Sequence, residues 1–480
     1  MRPHVILRYV GLVLMLNAAF VFVAFLISFF HHDDGQIPLL LACIITLLWG
    51  IFPMLFVPKA IDLSNREAYL VMVLSWIMSC VVGMLPFLFW GGEFNLMYAF
   101  FESVSGYTTS GASILNNIEA LPTGLLFWRS SMHWIGGMGV ILFMLLVMPS
   151  LGKAQKTLSR MEVSSLAGSE FRYKTRSMLR IILTVYIGLT CACCGTLLLL
   201  GMEPFDAVNH AFSIIATGGF STRNASIGAF NSPSIEAAVA FFMFVAGIHF
   251  GMLFALFTFK KASVFRSPIV RYYFFSTLIG ALIITVNLHV EGVYSTWMEC
   301  FRYAGFQAVC ISTTTGFATA NTAIWPPLSI VVLIFFTIQC GCSGSTSGGL
   351  KVDRVVIFFR SLRGQILRLQ HPQAVIPIKV GGRIISDETA NATVVFIVIY
   401  IGIIFLSSAL LAAFGVDLVT GFTASAAAMG STGPGFGLVG SASNYSCLPD
   451  AALVVLCFDM LLGRLEIFGL LLLFMMRSWR

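Results

Sequence analysis

ISTTTGFAT, residues 311–319, lies between two long apolar stretches yet holds little that is apolar itself. Three consecutive threonines run into a glycine, a small, polar, flexible segment set between greasy runs. The pattern occurs four times. Aligned on its glycine, the chain reads GYTTSGAS at Gly111, IIATGGFS at Gly219, STTTGFAT at Gly316 and MGSTGPGF at Gly433, spaced by 108, 97 and 117 residues. Two positions before each glycine stands a hydroxyl: Thr109, Thr217, Thr314 and Ser431. Twelve before stands a small residue, Ala99, Ala207, Ala304 or Gly421. A proline follows each glycine and opens the next apolar run, where proline is favoured (Pro122, Pro233, Pro326, Pro449).

The surrounding chain is 480 residues long, 58% hydrophobic and only 10% charged, with a mean hydropathy of +0.91. Soluble domains carry roughly 25% charged residues, and a bilayer-crossing helix needs about 20 mostly apolar ones. Such stretches fall near 9–30, 37–57, 68–90, 125–149, 179–201, 235–259, 272–290, 328–340, 392–415 and 451–475, one of them unusually short. The expectation is an all-α polytopic membrane protein with about ten transmembrane helices. Arg2 and Arg8 precede the first run as in a signal peptide, but the run is too long for one and no small-residue cleavage site follows.

Charge placement supplies a topology. With both termini cytoplasmic, 24 of the 28 Lys and Arg fall inward, notably Lys153, Lys156, Arg160, Arg172, Lys174, Arg176 and Arg180 in one loop and Lys351, Arg354, Arg360, Arg363, Arg368, Lys379 and Arg383 in another. Arg129, Arg223 and Arg302 face outward. This is the positive-inside asymmetry, so the net +7 charge needs no nucleic acid to explain it. The outward segments are acidic, with Glu102, Glu119, Asp206 and Glu236 among others. Either they form a negative mouth that concentrates cations, or they simply lack Lys and Arg. The eleven cysteines lie mostly in apolar runs and read as small buried hydrophobes without a disulfide framework. Cys191, Cys193 and Cys194 are crowded, but no His or carboxylate stands near enough to suggest a metal.

Each repeat therefore reads as a span, an outer turn, a re-entrant helix of about a dozen residues, a polar Gly-Thr loop and a return span. The expected layout is an N-terminal hairpin over 1–66 and pore repeats over 67–150, 175–262, 268–365 and 385–480, the third with a broken second helix. Irregular backbone at membrane depth is tolerated only where protein shields it or where it lines water. Four such loops around one axis could line a pore, with the negative ends of the short helices aimed at its centre and backbone carbonyls replacing a cation's water shell. The expected filter residues are Thr109, Ser110 and Gly111; Thr217, Gly218 and Gly219; Thr314, Thr315 and Gly316; Ser431, Thr432 and Gly433. No carboxylate lies in the loops, which disfavours Ca²⁺ and Mg²⁺ and suits a hard monovalent cation.

With these loops, HWIGGMGVILF (133–143), GCSGSTSGGLKVDR (341–354) and LLGRLEIF (461–468), essentially the whole chain resembles the TrkH-type subunits of the Trk/Ktr/HKT superfamily of potassium transporters. The resemblance implies K⁺ as the transported ion, with Gly111 in the position where serine is associated with Na⁺ passage. Its fourth loop departs from the family, with Ser431-Thr432 where relatives commonly carry amide or apolar residues. It further implies a bacterial inner-membrane homodimer and a cytoplasmic, nucleotide-binding ring of RCK domains, the TrkA type. This chain itself would bind no nucleotide, and the ring would dock on the basic inner loops at 153–180 and 351–383.

The short span at 328–340 stops at GCSGSTSGG, whose glycines each cost about 0.8–1 kcal/mol in a helix relative to alanine. The helix must break there. The resemblance implies an intramembrane gate loop containing Gly341, Gly344, Ser345, Thr346, Ser347, Gly348 and Gly349; the alternative is a flexible connection at the inner interface. Arg464, inside the last span, is either a fixed positive charge in the pore, as in TrkH relatives, or a structural partner of Glu466 or Asp459. GFGLVG (435–440) matches a dinucleotide fingerprint but follows a short helix rather than a strand, and GSTSGGLK (344–351) has Leu350 where a phosphate loop needs lysine. An enzyme is disfavoured because His133, His210 and His249 are scattered and never paired with Asp or Cys. The remaining alternative is an H⁺- or Na⁺-coupled secondary transporter, although such folds usually show inverted repeats.

Overall fold

The computed structural model describes residues 2–58, 65–147, 175–259, 263–374, 376–381, 383–465 and 467. The first inner basic loop, up to Lys174, and Glu466 lie outside them. Apart from one antiparallel hairpin, Ile378–Val380 against Arg383–Ile385, the described secondary structure is helical. Polarity is distributed for a bilayer: large apolar side chains such as Leu48, Phe52, Leu55 and Phe56 are exposed, while many hydroxyls and the Arg129–Glu102 ion pair lie inside. Among the described residues, six helices are long and apolar enough to cross a membrane, or seven if one bent pair counts as a span. The difference from about ten has a plain origin. Of the four expected runs outside these six, 235–259 is the bent pair, Pro327–Gln339 has only 13 residues, and Thr123–Val147 and Asp450–Arg464 run up to the edge of the described residues.

Helices Pro3–His31 and Gln36–Phe56 form the N-terminal hairpin, reversed at His32 in the left-handed region. Asp33, in that turn, accepts from the Thr123 hydroxyl and, at 3.4 Å, from the Gly124 N–H. The hairpin thereby caps the start of Thr123–Val147 and is tied to the rest of the helical bundle.

From residue 65 onward one order of elements recurs: long helix, short helix, loop, return helix. The short helices are Leu96–Tyr107, Pro204–Ile215, Trp297–Ser312 and Leu418–Gly430. Their starts are written locally. Asn95 caps through Tyr98 N–H, Thr296 and Glu299 form a capping box, Asp417 caps through Thr420 N–H, and Pro204 occupies the first helical position. The return helices begin at Thr123, Pro233, Pro327 and Asp450, each at a proline or directly after one.

Among the described residues, two return helices are broken. The third stops at Gln339 and resumes as Val352–Gln370. The second, continuous by its apolar run, stops at Ala246, bends by 105° and resumes at Phe250.

Candidate ion pathway

Each short helix ends in the same way. The hydroxyl residue takes a left-handed φ: 54° at Thr109, 53° at Thr217, 61° at Thr314 and 53° at Ser431. The next N–H then reaches back five residues, from Ser110 to the Ser105 carbonyl (2.9 Å), Gly218 to Ser213 (2.8 Å), Thr315 to Cys310 (2.9 Å) and Thr432 to Ala427 (2.9 Å). This is the Schellman ending, usually built on glycine. Threonine is an unusual occupant, because a β-branched residue resists positive φ, and here it appears three times. Two residues later comes the glycine, again with positive φ: 80°, 86°, 79° and 89° at Gly111, Gly219, Gly316 and Gly433. Four loops thus share one backbone path.

They also meet. A Cβ built on Gly111 would lie 2.2 Å from the Gly218 carbonyl oxygen, one on Gly219 2.1 Å from that of Thr315, and one on Gly316 2.1 Å from that of Thr432. One on Gly433 would lie 2.5 Å from the Ser110 carbonyl, which closes the circuit. Real Cβ···O contacts need about an ångström more, so any side chain at these positions would displace its neighbour's backbone. The hydroxyls at these positions do not behave uniformly. Those of Thr109, Ser110, Ser431 and Thr432 are buried without a protein partner among the described residues. The Thr217 hydroxyl instead donates to the Ala216 carbonyl, and that of Thr314 accepts from the Gly348 N–H at 3.3 Å.

Behind this ring each loop is anchored differently. Glu102 on the first short helix accepts from Ile114 N–H (3.1 Å) and the Ser113 hydroxyl, and Arg129 closes on it at 2.7 Å with both side chains buried. The same guanidinium donates to the Ser221 carbonyl (3.2 Å) and lies 4.1 Å from the Phe220 ring centre, bridging loops one and two. His133 stacks on Phe220. The Cys310 thiol donates to the Phe317 carbonyl (3.1 Å), and the Tyr445 hydroxyl to the Gly433 carbonyl (2.6 Å). The other two outward arginines are paired as well, Arg223 with Asp206 and Arg302 with Glu236, both at 2.7 Å. The acidic mouth is therefore weaker than the sequence suggests, since Glu102, Asp206 and Glu236 are buried and neutralised in pairs.

The loop at 341–349 is packed beneath two of these loops and is not laid on the surface. Gly341, Thr346, Ser347, Gly348 and Gly349 are buried, Gly344 and Ser345 half-buried. Besides Gly348 to Thr314, the Thr346 hydroxyl donates to the Ile215 carbonyl at the end of the second short helix (3.0 Å). Ser345 and Ser347 share a hydroxyl–hydroxyl bond of 2.8 Å, and Ser343 N–H is held by Asp353 at 2.7 Å. Arg464 donates to the Thr346 carbonyl at 2.7 Å and to the Gly136 carbonyl at 2.8 Å. Asp459 is not its partner: that carboxylate accepts from Ser407 (2.7 Å) and Ser425 (2.9 Å).

The bend at 247–249 and the anchor Tyr445 were not singled out from sequence. The bend's only signal was a histidine between Gly247 and Gly251 in an apolar run.

A helical, multi-pass chain whose polar loops meet in one ring is a membrane transport protein. The TrkH family model, described as a cation transport protein, matches residues 43–275 and 298–479. The chain is 35% identical over 486 residues to the Trk system potassium uptake protein TrkH of Escherichia coli K12 and 34% identical over 487 residues to that of Halomonas elongata, each match covering 100% of both chains. It superposes on the crystal structure of the potassium transporter TrkH from Vibrio parahaemolyticus with a TM-score of 0.88 at 33% identity, over 100% of both chains. The chain belongs to the TrkH family.

Proposed function

We propose that this protein takes up K⁺ across the bacterial inner membrane through a channel-like path, with both termini cytoplasmic. The observation that carries the reading is the closed ring of four loops of matching backbone, each following a short helix whose negative end faces it. Carbonyls of Thr109, Ser110 and Gly111, Thr217, Gly218 and Gly219, Thr314, Thr315 and Gly316, and Ser431, Thr432 and Gly433 form the filter. Glycine is required because a Cβ would strike the next loop's carbonyl, so the ring's diameter depends on all four. The relatives' potassium-uptake names support K⁺ as the ion.

The loop 341–349 closes the path below the filter, and Arg464 holds it shut while placing a positive charge near the route. Burial of the loop, with its hydrogen bonds to Thr314 in the third loop and to the Ile215 carbonyl at the end of the second short helix, favours this over a connection at the inner interface. The chain acts as a homodimer with a nucleotide-binding RCK ring of the TrkA type docked on its inner basic surface, which includes Val352–Gln370; the relatives' "Trk system" names support a partner.

Gly111→Ser tests the filter. The added side chain should lower the Rb⁺/Na⁺ uptake ratio in liposomes. An unchanged ratio with normal expression removes that loop from the filter.

A further inference from the structure

The return helix of the second unit breaks without any proline to break it. A helix interrupted at membrane depth leaves N–H and carbonyl groups without helical partners, and these must be satisfied locally. Here the partners come from loop 341–349, itself the break in the neighbouring return span. Cys342 N–H donates to the Gly247 carbonyl at 3.0 Å, and Phe250 N–H donates to the Gly344 carbonyl at 3.1 Å. Each break supplies what the other lacks.

Between these two bonds sits His249, buried, its Nδ1 accepting from Gly251 N–H at 2.9 Å. The imidazole fills the space beside Gly344, where a Cβ would lie 2.3 Å from Cδ2 and 2.5 Å from Nε2. Gly344 has φ +75°, so both its conformation and its missing side chain are used in this contact.

We infer that the bend at 247–250 is the second half of the gate, with His249 and the Phe250 N–H as positioning groups that hold the loop closed. The inference rests on the reading of 341–349 as the gate. If the loop moved alone, it would strand the Gly247 carbonyl and the Phe250 N–H inside the membrane. The loop and the bend therefore reorganise together, or water enters as they part. Opening thus involves two units, although only the third carries the glycine-rich signature.

Phe250 is the first residue of its helix, a position that tolerates proline because that N–H has no helical acceptor. Phe250→Pro deletes the donor to Gly344, whereas Phe250→Ala keeps the donor and loses the same ring. Two readouts are taken from purified protein in liposomes without a partner ring. One is resting Rb⁺ flux; the other is the rate at which a methanethiosulfonate labels Cys342, buried in the loop, followed by peptide mass spectrometry. One hydrogen bond lost from the closed state should place Phe250→Pro about fivefold above Phe250→Ala in both. A second arm uses side chains alone. Gly344→Ala should raise both readouts by striking the imidazole, and adding His249→Ala should bring them back toward the level of His249→Ala alone. If Phe250→Pro does not fold, this cycle decides. Equal values for the two Phe250 variants, or additive effects in the cycle, overturn the inference. Deleting residues 344–348 separates it from its premise. Raised flux there with no effect at the bend leaves the gate reading standing without its second half, and unchanged flux removes both.

Discussion

Arg464→Ala removes the side chain that ties the loop to the last helix. Of its two hydrogen bonds to carbonyls of the described residues, the 2.7 Å bond to Thr346 holds the loop and the 2.8 Å bond to Gly136 anchors the guanidinium itself. A hydrogen bond from a charged group is worth about 1.5–3 kcal/mol. Taking about 2 kcal/mol for the Thr346 bond, the closed loop loses roughly thirtyfold in occupancy relative to open states. The charge acts separately, on the barrier to the ion. At about 6 Å and an effective dielectric near 20 it contributes roughly 3 kcal/mol, less where water in the path screens it. Two further variants divide these effects. Arg464→Gln keeps a donor for Thr346 without the charge, and Arg464→Lys keeps the charge but loses the fork that spans two carbonyls. Rb⁺ uptake into liposomes, normalised to monodisperse protein, should rise most in Arg464→Ala and less in both others. Melting temperature is measured alongside. A lower melting temperature in Arg464→Ala with no added flux would refute the gating role and leave a structural one.

Alanine at the four ring glycines should lower the Rb⁺/Na⁺ uptake ratio in every case. The loss should be mildest at Gly433, where the clash is 2.5 Å against 2.1–2.2 Å elsewhere; the same assay at a fixed gradient checks the order. Glu102→Gln leaves Arg129 buried without its counter-ion, a change that costs about 3–5 kcal/mol, so the purified protein should melt well below wild type. Tyr445→Phe deletes one hydroxyl bond to the Gly433 carbonyl and should lower the Rb⁺/Na⁺ ratio with little change in melting temperature. A ratio equal to wild type would remove Tyr445 from ion selection.

The short helices and their loops were legible because a re-entrant turn needs residues that no spanning helix wants. Glycine with positive φ and a hydroxyl two positions earlier stand out in an apolar chain, and the prolines that open the return helices mark the far ends. The break at 340–351 was legible for the same reason, since four glycines in nine residues cannot stay helical. The break at 247–249 was not. The run 235–259 is long and apolar enough to span, and what stops the helix is a pair of backbone bonds to a loop about a hundred residues later in the chain. Sequence pattern reports a residue's preference for its own helix; it is silent on a competing partner elsewhere. Arg464 shows the same limit. Its neighbour Asp459 was visible in sequence and is not its partner, whereas the acceptors it has among the described residues include the carbonyls of Gly136 and Thr346, and every residue has a carbonyl.

That contrast extends to the ring as a whole. Its backbone is nearly fourfold: the hydroxyl residues span only 53–61° in φ and the glycines 79–89°. Its supports share nothing, being an ion pair, a stacked imidazole, a thiol and a phenol. If the ion is coordinated by main-chain oxygens, the coordinating geometry constrains φ and ψ and the space at one Cβ. Those constraints select glycine and a small hydroxyl at fixed spacing, and so they repeat in the sequence. A support has only to hold a loop from behind, which any donor or acceptor of suitable reach can do. Nothing then forces the four supports to resemble one another. The buried Arg129–Glu102 pair illustrates why they nonetheless matter. Burying two charges costs desolvation that their attraction does not reliably recover, yet this pair binds Ser113, Ile114 and the Ser221 carbonyl in one place. Its contribution is better understood as holding two loops at one separation than as adding stability, and the proposed filter, if its diameter is to distinguish ions, needs that separation held.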